Sequence, residues 1–154
     1  VARTGRERWA RHGCSAGSAE GCSGGLRAGA VTEVGGAADV VDRGVVTYSN
    51  EAKMQMLGVP AETVTAHGAV SEQTARAMAL GALANSDAGV SVAVTGVAGP
   101  GGGTADKPAG RGLFALAPRA GAIAGHRASS LCPLLTLRGR RSRAARVAGS
   151  WRTL

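Results

Sequence analysis

Aromatic side chains are nearly absent from this chain: Trp9, Tyr48, Phe114 and Trp151 are the whole set in 154 residues. A core must therefore be built from Val, Ala, Leu and Met, and 25 glycines leave it lightly filled. Cysteine is scarce too. Cys14, Cys22 and Cys132 are too few and too scattered for a disulfide framework, and no Cys-x-x-Cys pair occurs. His12, His67 and His126 stand at no ligand spacing with them, so neither a metal nor any other cofactor is expected. No apolar run approaches a membrane span, and the Arg-rich start lacks the apolar core of a signal peptide. The default expectation is a soluble cytoplasmic protein with no membrane partner.

Acidic residues are missing from one end. Residues 119–154 carry eight Arg and no acid, residues 31–118 carry five basic and eight acidic side chains, and residues 1–30 carry five Arg against two Glu. The net charge of +8 is thus the sum of a mildly acidic middle and two basic flanks. The length suits one domain. Three segments are expected: a poorly ordered basic stretch at 1–18, a folded domain at 19–118 and an Arg-rich tail at 119–154. Arg138, Arg140, Arg141, Arg143 and Arg146 crowd the tail without an amphipathic stripe, and Trp151 is its one aromatic. Nucleic acid is therefore not the expected partner, and an unstructured basic extension is the simpler reading.

Between the flanks, strand and helix signals alternate. Gly21–Gly25 is a glycine-rich turn leading into a short helix over 26–34, and Gly44–Tyr48 is a β-branched run that reads as a strand. Ser49 or Asn50 can cap a helix from Glu51 that stops near Gly58, with Pro60 as punctuation. Ser71 is the next cap, and Ala75, Met78, Ala79, Ala82 and Leu83 recur at helical spacing. Val90–Thr95 reads as a buried strand and Gly112–Ala117 as a last one. The alternation predicts an α/β layered domain. By contrast, Gly13–Ser18 makes a poor central strand, which would leave a sheet edge unpaired.

Two motifs carry chemistry. Gly96, Gly99, Gly101, Gly102 and Gly103 follow a strand and let backbone N–H groups approach an anion closely, although no Walker ending is present. Taken alone, a tight surface turn explains them equally well. Tyr48 and Lys53 lie five residues apart across a strand-to-helix seam. Alone they read as a packed tyrosine and a solvated lysine. Together, a lysine whose ammonium is disfavoured at a helix start can take a proton from a serine hydroxyl, with a tyrosine OH relaying or orienting it.

The block from Gly44 to Lys53, with Leu57-Gly-Val-Pro60, Gly68-Ala-Val-Ser71, Met78-Ala-x-Gly-Ala82 and Thr95–Thr104, closely resembles the CinA C-terminal domain family of nicotinamide-nucleotide amidohydrolases, PncC-like, over roughly residues 19–117. The resemblance implies a three-layer α/β/α domain with a mixed sheet. It also implies metal-free hydrolysis of the carboxamide of nicotinamide mononucleotide to nicotinate mononucleotide and ammonia, a step of pyridine nucleotide salvage in NAD metabolism. By the same resemblance Lys53 is the general base and Tyr48 the relay or orienting hydroxyl. Gly24, Gly25, Thr95, Gly96, Gly99, Gly101, Gly102 and Gly103 fall near a small-molecule nucleotide substrate.

The family's nucleophilic serine falls on Gly21. Glycine has no nucleophile to offer, so activity is expected to be impaired. Ser23 and Cys22 are the nearest substitutes, yet a shift of one or two residues moves the attacking atom by several ångströms, and misplacements of about 1 Å are already costly. Two further departures are Arg111, where the family has an apolar strand residue, and a C-terminal segment that cannot be aligned. The alternative reading is a non-catalytic module that binds a nucleotide or a partner through the retained glycine loop. Assembly into a homo-oligomer is left open.

Overall fold

The computed structural model describes residues 13–121 and 123–128. The basic start before Gly13 and the Arg-rich run from 129 to 154 lie outside the described residues, so the readings of those flanks stay sequence expectations. Five strands form one sheet in the order β2-β1-β3-β4-β5. β1 (Ala16–Glu20) pairs parallel with both β2 (Val41–Val46) and β3 (Val90–Gly96). β4 (Gly112–Pro118) runs antiparallel to β3, and β5 (Ala124–Ala128) antiparallel to β4. The sheet is therefore mixed, as expected.

β1 corrects the sequence reading. Ala16-Gly-Ser-Ala-Glu20 has little β-propensity, but it is the strand with helices over both faces. Small side chains are what such a crowded position admits, and packing overrides propensity. Ala19 is sealed among Leu57, Met78, Ala79 and Ala93 on one face. On the other face Ser18 lies under Ala28, where even a Cβ on the neighbouring Gly44 would come within 3.0 Å of both. The sheet thus begins before residue 19, and no edge is left open at β1. At the other end β5 extends it beyond residue 118, ten residues past the expected boundary.

Helix α1 (Leu26–Thr32) covers β1 and β2, whereas α2 (Asn50–Leu57), α3 (Ala61–His67) and α4 (Glu72–Ala84) lie over the opposite face. That gives the three-layer α/β/α arrangement. The caps fall where the sequence puts them. Ser49 Oγ accepts the Ala52 N–H at 3.0 Å, Gly58 ends α2 at φ 61°, and Ser71 Oγ accepts the Thr74 N–H at 3.1 Å. The stripe Ala75, Met78, Ala79, Ala82 and Leu83 packs on Leu113, Ala115 and Ala117 of β4. A Cβ at Gly81 would drive into the Leu57 carbonyl, so glycine there sets how closely α2 and α4 approach.

Two further elements differ from expectation. The strand expected at Gly44–Tyr48 starts earlier, at Val41, and leaves the ladder after Val46, with the Thr47 N–H still reaching Glu20 O at 2.8 Å. α3 was not expected: Pro60, read as punctuation, is also its N-cap. Among the described residues no helix is long and apolar enough to cross a membrane, and no group of His, Cys, Asp or Glu could hold a metal.

Candidate active site

The topology fixes where a site can form. From β1 the chain passes through α1 to β2 on one side, then returns through the other helices to β3 on the opposite side. Strand order therefore reverses between β1 and β3, and the segments leaving their carboxyl ends diverge, opening a crevice of the kind where α/β sheets bind ligands. A cleft of about 310 Å³ lies there. Gly21 and Cys22 after β1, Tyr48 and Lys53 after β2, and Thr95–Gly99 with Gly101 and Gly102 at and beyond the end of β3 line it, joined by Ala69 and Val70.

Lys53 is held by the seam that the sequence singled out. Its side chain is 3 % exposed, and Nζ donates to Thr47 O at 2.9 Å, Ser49 O at 3.2 Å and Tyr48 O at 3.4 Å. Burial lowers its pKa from the ordinary lysine value, against smaller opposing effects of Cys22 and Glu51. The result is an amine more readily neutral than a surface lysine. Tyr48 lines the same cleft, but its side chain is 74 % exposed. The backbone carbonyl of Tyr48, rather than its hydroxyl, meets Lys53.

Gly21 stands where the sequence placed the missing nucleophile. Its N–H donates to Val94 O at 2.9 Å, and its backbone lies outside the left-handed region. A Cβ built there would meet Val94 O at 3.4 Å and both Thr47 O and Thr95 Oγ1 at 3.7 Å, all ordinary contacts. Lys53 Nζ and a Cβ at position 21 thus approach the same oxygen, Thr47 O. Gly21 and Lys53 also line the same cleft.

The two neighbouring candidates part company here. Ser23 Oγ donates to Glu20 Oε2 at 2.6 Å and does not line the cleft; Cys22 lines it and also packs against Val94 and Phe114. Gly24 and Gly25, at φ 59° and 90°, do not line it either. They turn the chain so that Glu20 can gather donors. Its carboxylate accepts the N–H groups of Gly25 at 3.2 Å, Arg27 at 3.1 Å and Ala28 at 2.7 Å besides the Ser23 hydroxyl. Glu20 and Arg27 are each 1 % exposed. Burial brings Arg27 down to about 10, partly offset by the Glu20 charge, and its guanidinium donates to Val92 O at 3.2 Å. Sequence reasoning missed Glu20; an acid directly before a glycine-rich turn into a helix is the signal that could have found it.

The glycine loop divides in the same way. Gly96 allows β3 to approach the Arg111 carbonyl, and Gly103 lets the loop neck close on Ala109, so both are demanded by packing. Gly99, Gly101 and Gly102 line the cleft, and their N–H groups meet no acceptor among the described residues. That suits an anion. Thr95 is buried, its hydroxyl donating to Ala69 O at 2.7 Å, which ties the end of β3 to the segment before α4. Arg111 lies just before β4, with its guanidinium on the Asp106 carbonyl.

Known proteins share this architecture. The family model for the CinA C-terminal domain matches residues 2–130. A "putative competence-damage inducible protein" of Symbiobacterium thermophilum is 56 % identical over 110 residues, covering 71 % of this chain and 26 % of that protein. The chain thus spans about a quarter of that longer relative. The nicotinamide-nucleotide amidohydrolase PncC of Enterobacter agglomerans is 50 % identical over 105 residues, covering 68 % of this chain and 64 % of that one. Among solved structures, the competence/damage inducible protein CihA from Agrobacterium tumefaciens superposes with a TM-score of 0.89 at 45 % identity, covering 97 % of this chain and 90 % of that one. With the switch-point cleft, the Lys53 seam and the glycine loop in place, the chain belongs to the CinA C-terminal domain family.

Proposed function

We propose that the cleft binds nicotinamide mononucleotide, with the carboxamide near Lys53 and the phosphate toward Gly99–Gly102, and that the route through a covalent acyl-enzyme is closed in this chain. The observation that carries the reading is the convergence on Thr47 O: the Lys53 amine touches it, and so would a side chain at position 21, which is glycine. Base and substrate loop are retained, and the nucleophile that the base would serve is not. The name of the Enterobacter agglomerans relative supports the choice of substrate.

The acyl route needs a hydroxyl that gives its proton to the base as it attacks the amide carbon. Ser23 cannot take that part from its place on the Glu20 carboxylate. Gly21→Ser supplies the hydroxyl without backbone strain. Nicotinamide mononucleotide should bind to both proteins by calorimetry, and the variant should release ammonia at least about 100-fold faster than the native chain, the lower end of what a positioned nucleophile–base pair contributes. Binding to neither protein would overturn the reading. Binding to both with no gain in the variant would favour the second reading, a non-catalytic nucleotide-binding module, whose specific support is Gly21 itself.

A further inference from the structure

At Gly21 the cleft wall lacks a side chain, and the oxygens around the gap are polar and differently disposed. A Cβ there would be bordered by two carbonyl oxygens, Val94 O and Thr47 O, and one hydroxyl, Thr95 Oγ1. The Thr95 hydroxyl gives its proton to Ala69 O, so its lone pairs face other donors. The Lys53 amine sits on Thr47 O, at the rim of the same gap. A water molecule is held where two to four polar partners converge in a space that admits it. The opening beside Gly21 offers such partners, and it lies close to where the attacking oxygen of a serine would stand.

We infer that position 21 is a seat for a nucleophilic water, and that this chain hydrolyses its amide by direct, single-step displacement rather than through an acyl-enzyme. The inference rests on the substrate reading given above. Water held through one O–H by Thr95 Oγ1 gives its other proton to the neutral Lys53 amine as its oxygen bonds to the carboxamide carbon. The tetrahedral adduct then collapses with cleavage of the C–N bond. The departing nitrogen takes the proton back from the Lys53 ammonium, so that one amide and one water become one carboxylic acid and one ammonia. No covalent bond to the protein forms at any point.

The lysine's contacts suit this use. A lysine that donates to three carbonyls must give one up when it turns from ammonium to amine. The contact to Tyr48 O, at 3.4 Å, is the longest of the three. Releasing it leaves Thr47 O and Ser49 O to hold the nitrogen, with its lone pair available to the water.

The test compares the native chain with Gly21→Ala, Gly21→Ser and Lys53→Met in ammonia release from nicotinamide mononucleotide, with intact-mass measurement during turnover. A methyl at position 21 makes only ordinary contacts, so Gly21→Ala keeps the fold and fills the water's seat. The native chain should turn over slowly and without a covalent adduct. Gly21→Ala should lower that rate at least about tenfold and Lys53→Met by about 100-fold or more, general-base contributions being of this order. The native rate should rise with pH on a limb that lies below the ordinary lysine range and is lost in Lys53→Met. Gly21→Ser should show an acyl adduct.

Native turnover equal to that of Gly21→Ala, or a native mass adduct on Cys22, would overturn the water seat while leaving the cleft's substrate reading intact. Ammonia from none of the proteins, Gly21→Ser included, would overturn the water seat and favour the non-catalytic module, and absence of nucleotide binding as well would overturn the substrate reading.

Discussion

Glu20 holds the wall of the cleft without facing it. Four donors converge on one carboxylate at the end of β1, whose charge also acts on the buried Arg27 guanidinium, and the turn that carries Gly21 and Cys22 is strung between them. Glu20→Gln keeps the shape but removes the charge that answers Arg27, and replaces an oxygen acceptor with an amide donor facing other donors. Leaving those buried donors without their charged acceptor costs at least about 1–3 kcal/mol. Urea denaturation should show a loss of that order. A change under about 1 kcal/mol would mean that Arg27 is held mainly by Val92 O and its packing.

At the scale of elements, the approach of α2 to α4 depends on one missing side chain. Glycine inside a helix is ordinarily worth replacing, since alanine gains about 0.5–1 kcal/mol of helix stability. At Gly81 the sign should reverse, because the added Cβ would meet the Leu57 carbonyl and push the helices apart. Gly81→Ala should therefore destabilise by about 1–3 kcal/mol, the usual cost of overpacking, measured as a lower denaturation midpoint. A raised midpoint would show that α2 moves aside freely.

The elements that could be read from the sequence are those whose signals are local. Ser49, Gly58 and Ser71 mark helix ends through bonds to their own neighbours, and β3 and β4 announce themselves by apolar runs. β1 was hidden because a strand covered on both faces by close-packed helices must use Ala, Gly and Ser, which carry no strand signal. α3 was hidden because Pro60 can end one helix region and open the next. β5, with Gly125 and Arg127 in Ala124–Ala128, has no apolar run to announce it. In the site, Lys53 and part of the glycine loop were legible. Gly24, Gly25 and Gly103 do not line the cleft and Gly96 does, and the sequence could not separate them for one physical reason: the freedom that lets a backbone approach a ligand also lets it turn sharply or pass another backbone.

For the molecule as a whole, β1 is the organising strand, paired along both edges and sandwiched on both faces. β2 is an edge strand with most of its residues exposed. Native-state hydrogen exchange should therefore protect the amides of Ala16–Glu20 up to the free energy of global unfolding, whereas those of Val41–Val46 facing away from β1 exchange through local opening. Early exchange of β1 would instead place the stable nucleus in the β3–β4 hairpin and α4.

The ordinary backbone at Gly21 also bears on history and on design. The scaffold has not closed over the missing side chain: the turn is unstrained and the flanking oxygens stand at contact distance. Such a loss carries no ratchet, since no compensating change would have to be undone before a hydroxyl returned. The same opening can be treated as a socket, in which oxygen, sulfur or selenium nucleophiles can be exchanged to test the proposed roles of Lys53 and the glycine loop.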